Sequence, residues 1–272
     1  MTLPFKAVAV DMDGTFLNGE RTYDKKLFDK VLTQLEERNV HFIVASGRPY
    51  ARLRDDFIEF VDRMDFVTAN GSRLMSDDKE IGITTMKRET ILQLIEEVHA
   101  KYGKIATILF GPNMAYVGAD APRRDKDFLR YFAGNSTEVK GWDKLPDAQF
   151  IELTFHYDRK FASQIERDFN RKHGKLISVF GSADRAIDVN AYGVSKGNGL
   201  KEMLTKFGLT GDDLIAFGDG GNDIPMLDFA KYSYAMENGM AEVKNHARFI
   251  APRNTENGVL RVLQEYLDKD QD

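Results

Sequence analysis

Two aspartates, Asp11 and Asp13, stand two residues apart in Asp11-Met12-Asp13-Gly14-Thr15, directly after the apolar run Phe5-Lys6-Ala7-Val8-Ala9-Val10. A run of this kind reads as a buried strand, and a Gly-containing acidic turn ends it. Carboxylates beside a hydrophobic core are costly unless a cation or a partner charge accompanies them. Their position therefore points to a cation site, or to a nucleophile with an acid/base neighbour. An EF-hand loop also opens Asp-x-Asp-Gly, but it needs a preceding helix and a bidentate Glu at its twelfth position. Here a strand precedes and that position holds Thr22, which excludes calcium binding of that kind.

Three further groups carry complementary chemistry. Ser46-Gly47 ends a second apolar run just before a helix start, where a hydroxyl and exposed N–H groups suit a phosphate. Lys196, beside Ser195 at another helix start, offers a cation for a phosphate oxygen. Gly218-Asp219-Gly220-Gly221-Asn222-Asp223 is an acidic, glycine-rich loop after the run Leu214 to Phe217. Parallel α/β sheets bind ligands outside the carboxyl ends of their strands, so these groups can converge on one crevice. Asp11 and Asp219 supply hard oxygen ligands for a magnesium ion. Ser46, Lys196 and that ion can then bind a phosphate dianion while the Asp11 carboxylate attacks phosphorus.

The elements that must position these groups follow from periodicity. Asp24 can cap a helix with Leu27, Phe28, Val31, Leu32 and Leu35 at helical spacing. His41 to Ala45 reads as a second strand, and Pro49 suits the first turn of a helix running to about Arg63. A third strand, Phe66 to Ala69, meets the hairpin signal Asn70-Gly71. Alternating strands and helices with near-continuous apolar strands indicate a parallel sheet covered by helices. The rhythm changes after Ile83. A helix over 88–102, strands at Ile105 to Phe110 and Ala115 to Val117, and a helix from Asp125 to Phe132 come first. A strand from Ile151 to His156, a helix from Asp158 to His173 and a closing hairpin of Leu176–Phe180 and Ala186–Val189 complete the block. From Ser195 the first rhythm returns, and Asp268 to Asp272 reads as a frayed end. The expected fold class is α/β: a Rossmann-like core from residues 1–82 and 190–272, split by an inserted α+β domain at 83–189.

Composition is that of an ordinary globular protein. The 272 residues are 42% apolar and 30% charged, with a net charge of −5 and no basic stripe for nucleic acid. No apolar stretch approaches the roughly 18 residues a membrane span needs, and no signal peptide is evident. Cysteine is absent, which removes disulfides, thiolate nucleophiles and Cys-based zinc sites. A cytoplasmic protein using oxygen ligands is the expected setting. The five histidines form no ligand spacing, and Trp142 reads as a packing residue.

These motifs together, in this order, make the chain resemble the haloacid dehalogenase superfamily of phosphatases, specifically the Cof-type branch with its type-II cap. The resemblance covers essentially the whole chain and implies a magnesium-dependent phosphomonoesterase acting on small phosphorylated metabolites, sugar phosphates above all. It implies that Asp11 is the nucleophile and becomes an aspartyl-phosphate, and that Asp13 is the acid/base and touches the metal through its backbone carbonyl. Asp219 would be a further metal ligand, with Asp223 supporting the ion through its waters. Met12 N–H, Ser46, Gly47, Lys196 and Asn222 would hold the phosphate, and Arg48 could reach the substrate. The block 83–189 is expected to be a mobile cap. Two other readings stay open: a phosphohexomutase-type transfer, and a non-catalytic sugar-phosphate-binding protein. The expected partner is a small phosphate ester rather than nucleic acid or membrane. The oligomeric state is left open, with a monomer favoured.

Overall fold

The computed structural model describes residues 3–119, 121–156, 162–182 and 186–271, and the structural statements below concern these residues. Strand β1 (Ala7–Val10) is buried at every position, as an interior strand covered on both faces must be. Helix α1 (Lys25–Glu36) starts where Asp24 accepts a hydrogen bond from the Leu27 N–H at 3.0 Å. Then follow β2 (His41–Ala45), α2 (Tyr50–Asp56), β3 (Asp65–Thr68), β4 (Arg73–Ser76) and β5 (Lys79–Ile83). The middle of the chain forms α3 (Arg88–Tyr102), β6 (Ala106–Phe110), β7 (Ala115–Gly118), α4 (Arg123–Ala133), β8 (Ser136–Val139), β9 (Glu152–His156), α5 (Ala162–His173), β10 (Ile177–Ser182) and β11 (Ala186–Ala191). The last third adds α6 (Lys196–Lys206), β12 (Leu214–Gly218), α7 (Ile224–Phe229), β13 (Tyr232–Met236), α8 (Ala241–Lys244), β14 (Phe249–Ala251) and α9 (Gly258–Gln271). None of these helices is long and apolar enough to cross a membrane.

The chain divides into two compact units. One comprises Met1–Ser46, Glu59–Ile81 and Ser195–Asp272; the other comprises Gly47–Ile58 and Gly82–Val194. In the first, an eight-stranded sheet has the order β14-β13-β12-β1-β2-β3-β4-β5. Its strands from β14 to β3 run parallel, and β4 joins β3 antiparallel. Side chains alternate between two covered faces. Ala7, Ala9, Ile43 and Ala45 pack with Leu200, Met203 and Leu204 of α6 and with Met226 and Leu227 of α7. On the other face Phe42 meets Phe28 of α1 at 5.1 Å between ring centroids. The small alanines on the first face let α6 lie close to the sheet, which matters for the residue at its start.

The second unit holds a six-stranded sheet in the order β10-β11-β9-β6-β7-β8. It is antiparallel except that β7 and β8 run parallel. Leu153, Phe155, Ile187 and Val189 bury one face against Ile91, Leu94, Ile95 and Val98 of α3 and against Ile165 and Phe169 of α5. Between those helices Glu97 accepts from Lys172 at 2.8 Å and bonds His173 at 2.9 Å. Burial pushes the Glu97 carboxyl up, but hydrogen bonds from Lys172, then His173, outweigh it and hold the group at about 2, below its ordinary 4.5. A depressed carboxylate contributes stability above its unfolded value and loses it as pH falls through the folded one. Chemical denaturation of wild type and Glu97→Gln should therefore differ by roughly 1 kcal/mol at pH 6. The difference should shrink between pH 4.5 and 2. A gap that stays constant across that window would count against the pairing.

Several expected element ends move. The helix after Pro49 stops at Asp56, not near Arg63, because the backbone leaves helical geometry at Phe57 (φ −118°, ψ 28°). Arg63 is instead held on α1, donating to Asp29 at 2.7 Å and to Glu36 at 2.6 Å. The residues expected to fray are helical to Gln271, with Asp270 accepting from Arg38 Nε at 2.8 Å; Asp272 lies outside the described residues. The expected helix start at Asp158 also lies outside them, and α5 is described from Ala162. The antiparallel β4 pairs with β3 where the hairpin signal Asn70-Gly71 stands, and the strands β4 and β5 extend the parallel sheet beyond the ones read from periodicity.

Candidate active site

Val10 lies beside Phe217 in parallel register, so Asp11 and Asp219 leave neighbouring strands at the same edge. From β1 the sheet continues through β2 on one side and through β12 on the other. Such a switch in strand order opens the crevice where parallel sheets take ligands. The Asp11 N–H is fixed by the Phe217 carbonyl at 3.1 Å.

Lys196 opens α6 immediately after its cap, Ser195, whose hydroxyl accepts from the Asn198 N–H at 3.1 Å. The lysine is fully buried. Its Nζ donates to Asp11 Oδ1 at 2.5 Å and to Asp223 Oδ1 at 2.6 Å. The other Asp223 oxygen accepts the N–H groups of Asp219 and Gly220, each at 2.9 Å. Asp223 therefore shapes the acidic loop and holds the lysine at once. Asp219 Oδ1 accepts from Thr15 Oγ1 at 2.8 Å, which ties this loop to the turn after β1. That turn passes very close to it: Gly14 has φ +84°, and a Cβ there would meet Asp219 Oδ2 at 2.3 Å. Asn238 Nδ2 donates to the Gly14 carbonyl at 2.7 Å, and Asn254 Nδ2 to the Leu17 carbonyl at 2.7 Å.

Charge in this cluster is unbalanced. Carboxylate oxygens of Asp11, Asp219 and Asp223 lie within 4.8 Å of one another. Burial, reinforced by Asp223 and Asp219 and opposed by Lys196, holds the Asp11 carboxyl well above the ordinary carboxylate range. Burial and then Asp223 push Asp219 up to about 6. Burial alone would lower Lys196, but Asp11 and Asp223 outweigh it and raise the lysine above its ordinary value. A second cation among these oxygens would relieve the strain on the acids, and hard oxygen donors suit magnesium. The donor set thus fits the ion.

The remaining candidates are divided between the two units. Met12 and Ser46 are buried, and the Ser46 N–H donates to the Val67 carbonyl at 2.9 Å. Asn222 Nδ2 donates to Asn70 Oδ1 at 3.1 Å. Asp13 is exposed on the turn. Gly47 and Arg48 fall in the other unit, where Arg48 Nη1 donates to Asp56 Oδ2 at 2.6 Å and is buried. Trp142 packs against the core of that unit. The histidines bond elsewhere, His41 with Asp65 and His246 with Asp228, each at 2.9 Å. Thr15, Asn70, Asn238 and Asn254 are the contributors that sequence reasoning did not single out. Thr15 stood inside the first motif, Asn70 inside a turn signal, and the last two had no signal.

Comparison with known proteins identifies the family. A model of the haloacid dehalogenase-like hydrolases matches residues 8–263. The chain is 29% identical over 265 residues to the 5-amino-6-(5-phospho-D-ribitylamino)uracil phosphatase YbjI of Escherichia coli, covering 97% of each. It is 26% identical to the YcsE phosphatase of Bacillus subtilis named for the same substrate, covering 96% of each. A crystal structure from Streptococcus mutans superposes with a TM-score of 0.92 at 35% identity, covering 97% of this chain and 99% of that one. The chain belongs to the haloacid dehalogenase-like hydrolases, in their Cof-type phosphatase branch. Its enzyme class is phosphatase.

Proposed function

We propose that this phosphatase is a magnesium-dependent phosphomonoesterase for small sugar and sugar-alcohol phosphates, working through an aspartyl-phosphate on Asp11. The observation that carries the reading is the buried Asp11–Lys196–Asp223 network beside Asp219. Asp11, Asp219 and the backbone of Asp13 would hold the ion, with Asp223 behind them; bound there, magnesium supplies positive charge for the phosphate oxygens. Asp11 forms the new bond to phosphorus as the ester P–O bond breaks, and Asp13 gives its proton to the departing alkoxide. Asp13 then takes a proton from the water that attacks the aspartyl-phosphate, releasing phosphate and restoring Asp11. Lys196 neutralises Asp11 and lies within reach of phosphate oxygens, while Met12 N–H, Ser46, Gly47 and Asn222 bind them. The block 83–189 supplies the side chains that choose the substrate. Two relatives named for a phosphorylated ribitylamino compound favour a polyol phosphate end, and the acidic net charge favours a small ester over nucleic acid.

Hydrolysis of p-nitrophenyl phosphate should require magnesium and stop in EDTA. Magnesium should also raise the thermal midpoint of the protein by a few degrees, as a ligand of the folded state does. No magnesium response in either readout would overturn the metal assignment. In a panel of phosphate esters, sugar and polyol phosphates should rank first; a phosphopeptide or polynucleotide end above all of them would defeat the substrate class. Isomerisation of a hexose phosphate without phosphate release would instead favour a mutase.

A further inference from the structure

The turn between β3 and β4 touches three of the functional loops together. Asn70 has left-handed geometry (φ 55°, ψ 18°) and is fully buried. Its N–H donates to the Ser46 carbonyl at 3.0 Å, and its Oδ1 accepts from Asn222 Nδ2 at 3.1 Å. The next residue, Gly71 (φ +110°), lies so close to the start of α6 that a Cβ would meet the Ser195 carbonyl oxygen at 2.3 Å. One dipeptide thus bears on the serine loop, on the lysine helix and on the acidic loop.

Left-handed geometry alone would be met most cheaply by glycine. A buried carboxamide is costly unless its polar atoms are bonded. Here the carboxamide at position 70 is directed at Asn222. A side-chain amide has two N–H donors in one plane, so fixing one on Asn70 fixes the direction of the other. We propose that Asn70 is a positioning residue for phosphate binding: it orients the Asn222 carboxamide and sets its distance from Ser46. The proposal rests on the phosphatase reading above and extends it to a residue outside the four motifs.

Asn70→Gly keeps the backbone conformation accessible and removes only the carboxamide. With p-nitrophenyl phosphate as substrate and inorganic phosphate as competitive inhibitor, KM and the inhibition constant should each rise about tenfold. The value of kcat should fall less than about threefold, and the thermal midpoint should stay within a few degrees. In an Asn222→Ala background the same change should have less than about a twofold effect on both constants, because residues acting through one contact are not additive. Unmoved KM and phosphate inhibition in Asn70→Gly would overturn the proposal. So would equal effects in both backgrounds, or an Asn70→Gly protein that does not fold, since each marks a purely structural turn. A wild-type protein inactive on every phosphate ester overturns the phosphatase reading and this assignment together, whereas an active wild type with an unchanged Asn70→Gly overturns this assignment alone.

Discussion

Asp11→Asn is expected to lower kcat/KM on the order of 10⁴-fold or more, the scale seen when a nucleophile is removed, while the protein stays at least as stable as wild type. The loss follows from the chemistry, because a carboxamide oxygen does not form the aspartyl-phosphate. The retained stability follows from burial. The native carboxylate is held well above its ordinary range by desolvation, with Asp223 and Asp219 adding to it and Lys196 opposing it. Asparagine removes the desolvation cost and the repulsion, and Lys196 keeps its 2.6 Å bond to Asp223. Steady-state assay with p-nitrophenyl phosphate and thermal unfolding check both halves. A variant with more than about a hundredth of wild-type activity would sink the nucleophile assignment, that residue being far too large for a lost covalent step.

Lys196→Met should do the reverse and damage the fold as well as turnover. Methionine has similar length but no charge, so Asp11 and Asp223 lose a fully buried partner. Removing one member of a buried pair costs about 3–5 kcal/mol, a large part of the 5–15 kcal/mol that holds a typical domain. The variant should recover part of this in acid. A carboxyl whose folded pKa exceeds its unfolded value is stabilising at low pH and becomes costly as pH rises through the folded value. With the lysine present, burial already holds Asp11 well above the ordinary carboxylate range and Asp219 at about 6, and Lys196 opposes both shifts, so its loss should move these two carboxyls further up. Urea denaturation in EDTA should show the larger gap from wild type at pH 8 and a smaller one at pH 5. Equal stability of the two proteins at pH 8 would mean the carboxylates are balanced by something other than Lys196.

What could be read from the chain alone was local chemistry at strand ends. The run into Asp11 announces both a buried strand and a charge at its edge, and the loop after Phe217 repeats the statement. The carboxyl-end rule for parallel sheets then brings Asp11, Lys196, Asp219 and Asp223 together, as the structure does. What escaped depends on partners far along the chain. Asn70-Gly71 reads as a turn, but its contact with Asn222 lies across the sheet and has no local signature. The end of α2 at Asp56 carries no stop signal, and Arg63, read as its last residue, makes its bonds on α1 instead. Gly47 and Arg48 look continuous with Ser46, yet they group with the other unit, where Ala51 lies 3.9 Å from the position of a Cβ on Gly134. The last turn of α9 is polar, and Arg38 reaching Asp270 from far along the chain ties it down.

The parallel pairing of Val10 with Phe217 also has a consequence for how the protein is made. On the ribosome β1 and β2 are available early, but β12 follows about 200 residues later. At roughly 5–20 residues per second, β1 waits about 10–40 s for its second neighbour. During that time one edge of the nascent half-sheet is open, and an open apolar edge is a template for pairing with another chain. Lys196 is also late, so Asp11 spends the same interval beside a forming core without its counterion. A charge at the end of an open strand disfavours pairing with another chain, and Asp11 stands in that position until the last third of the chain arrives.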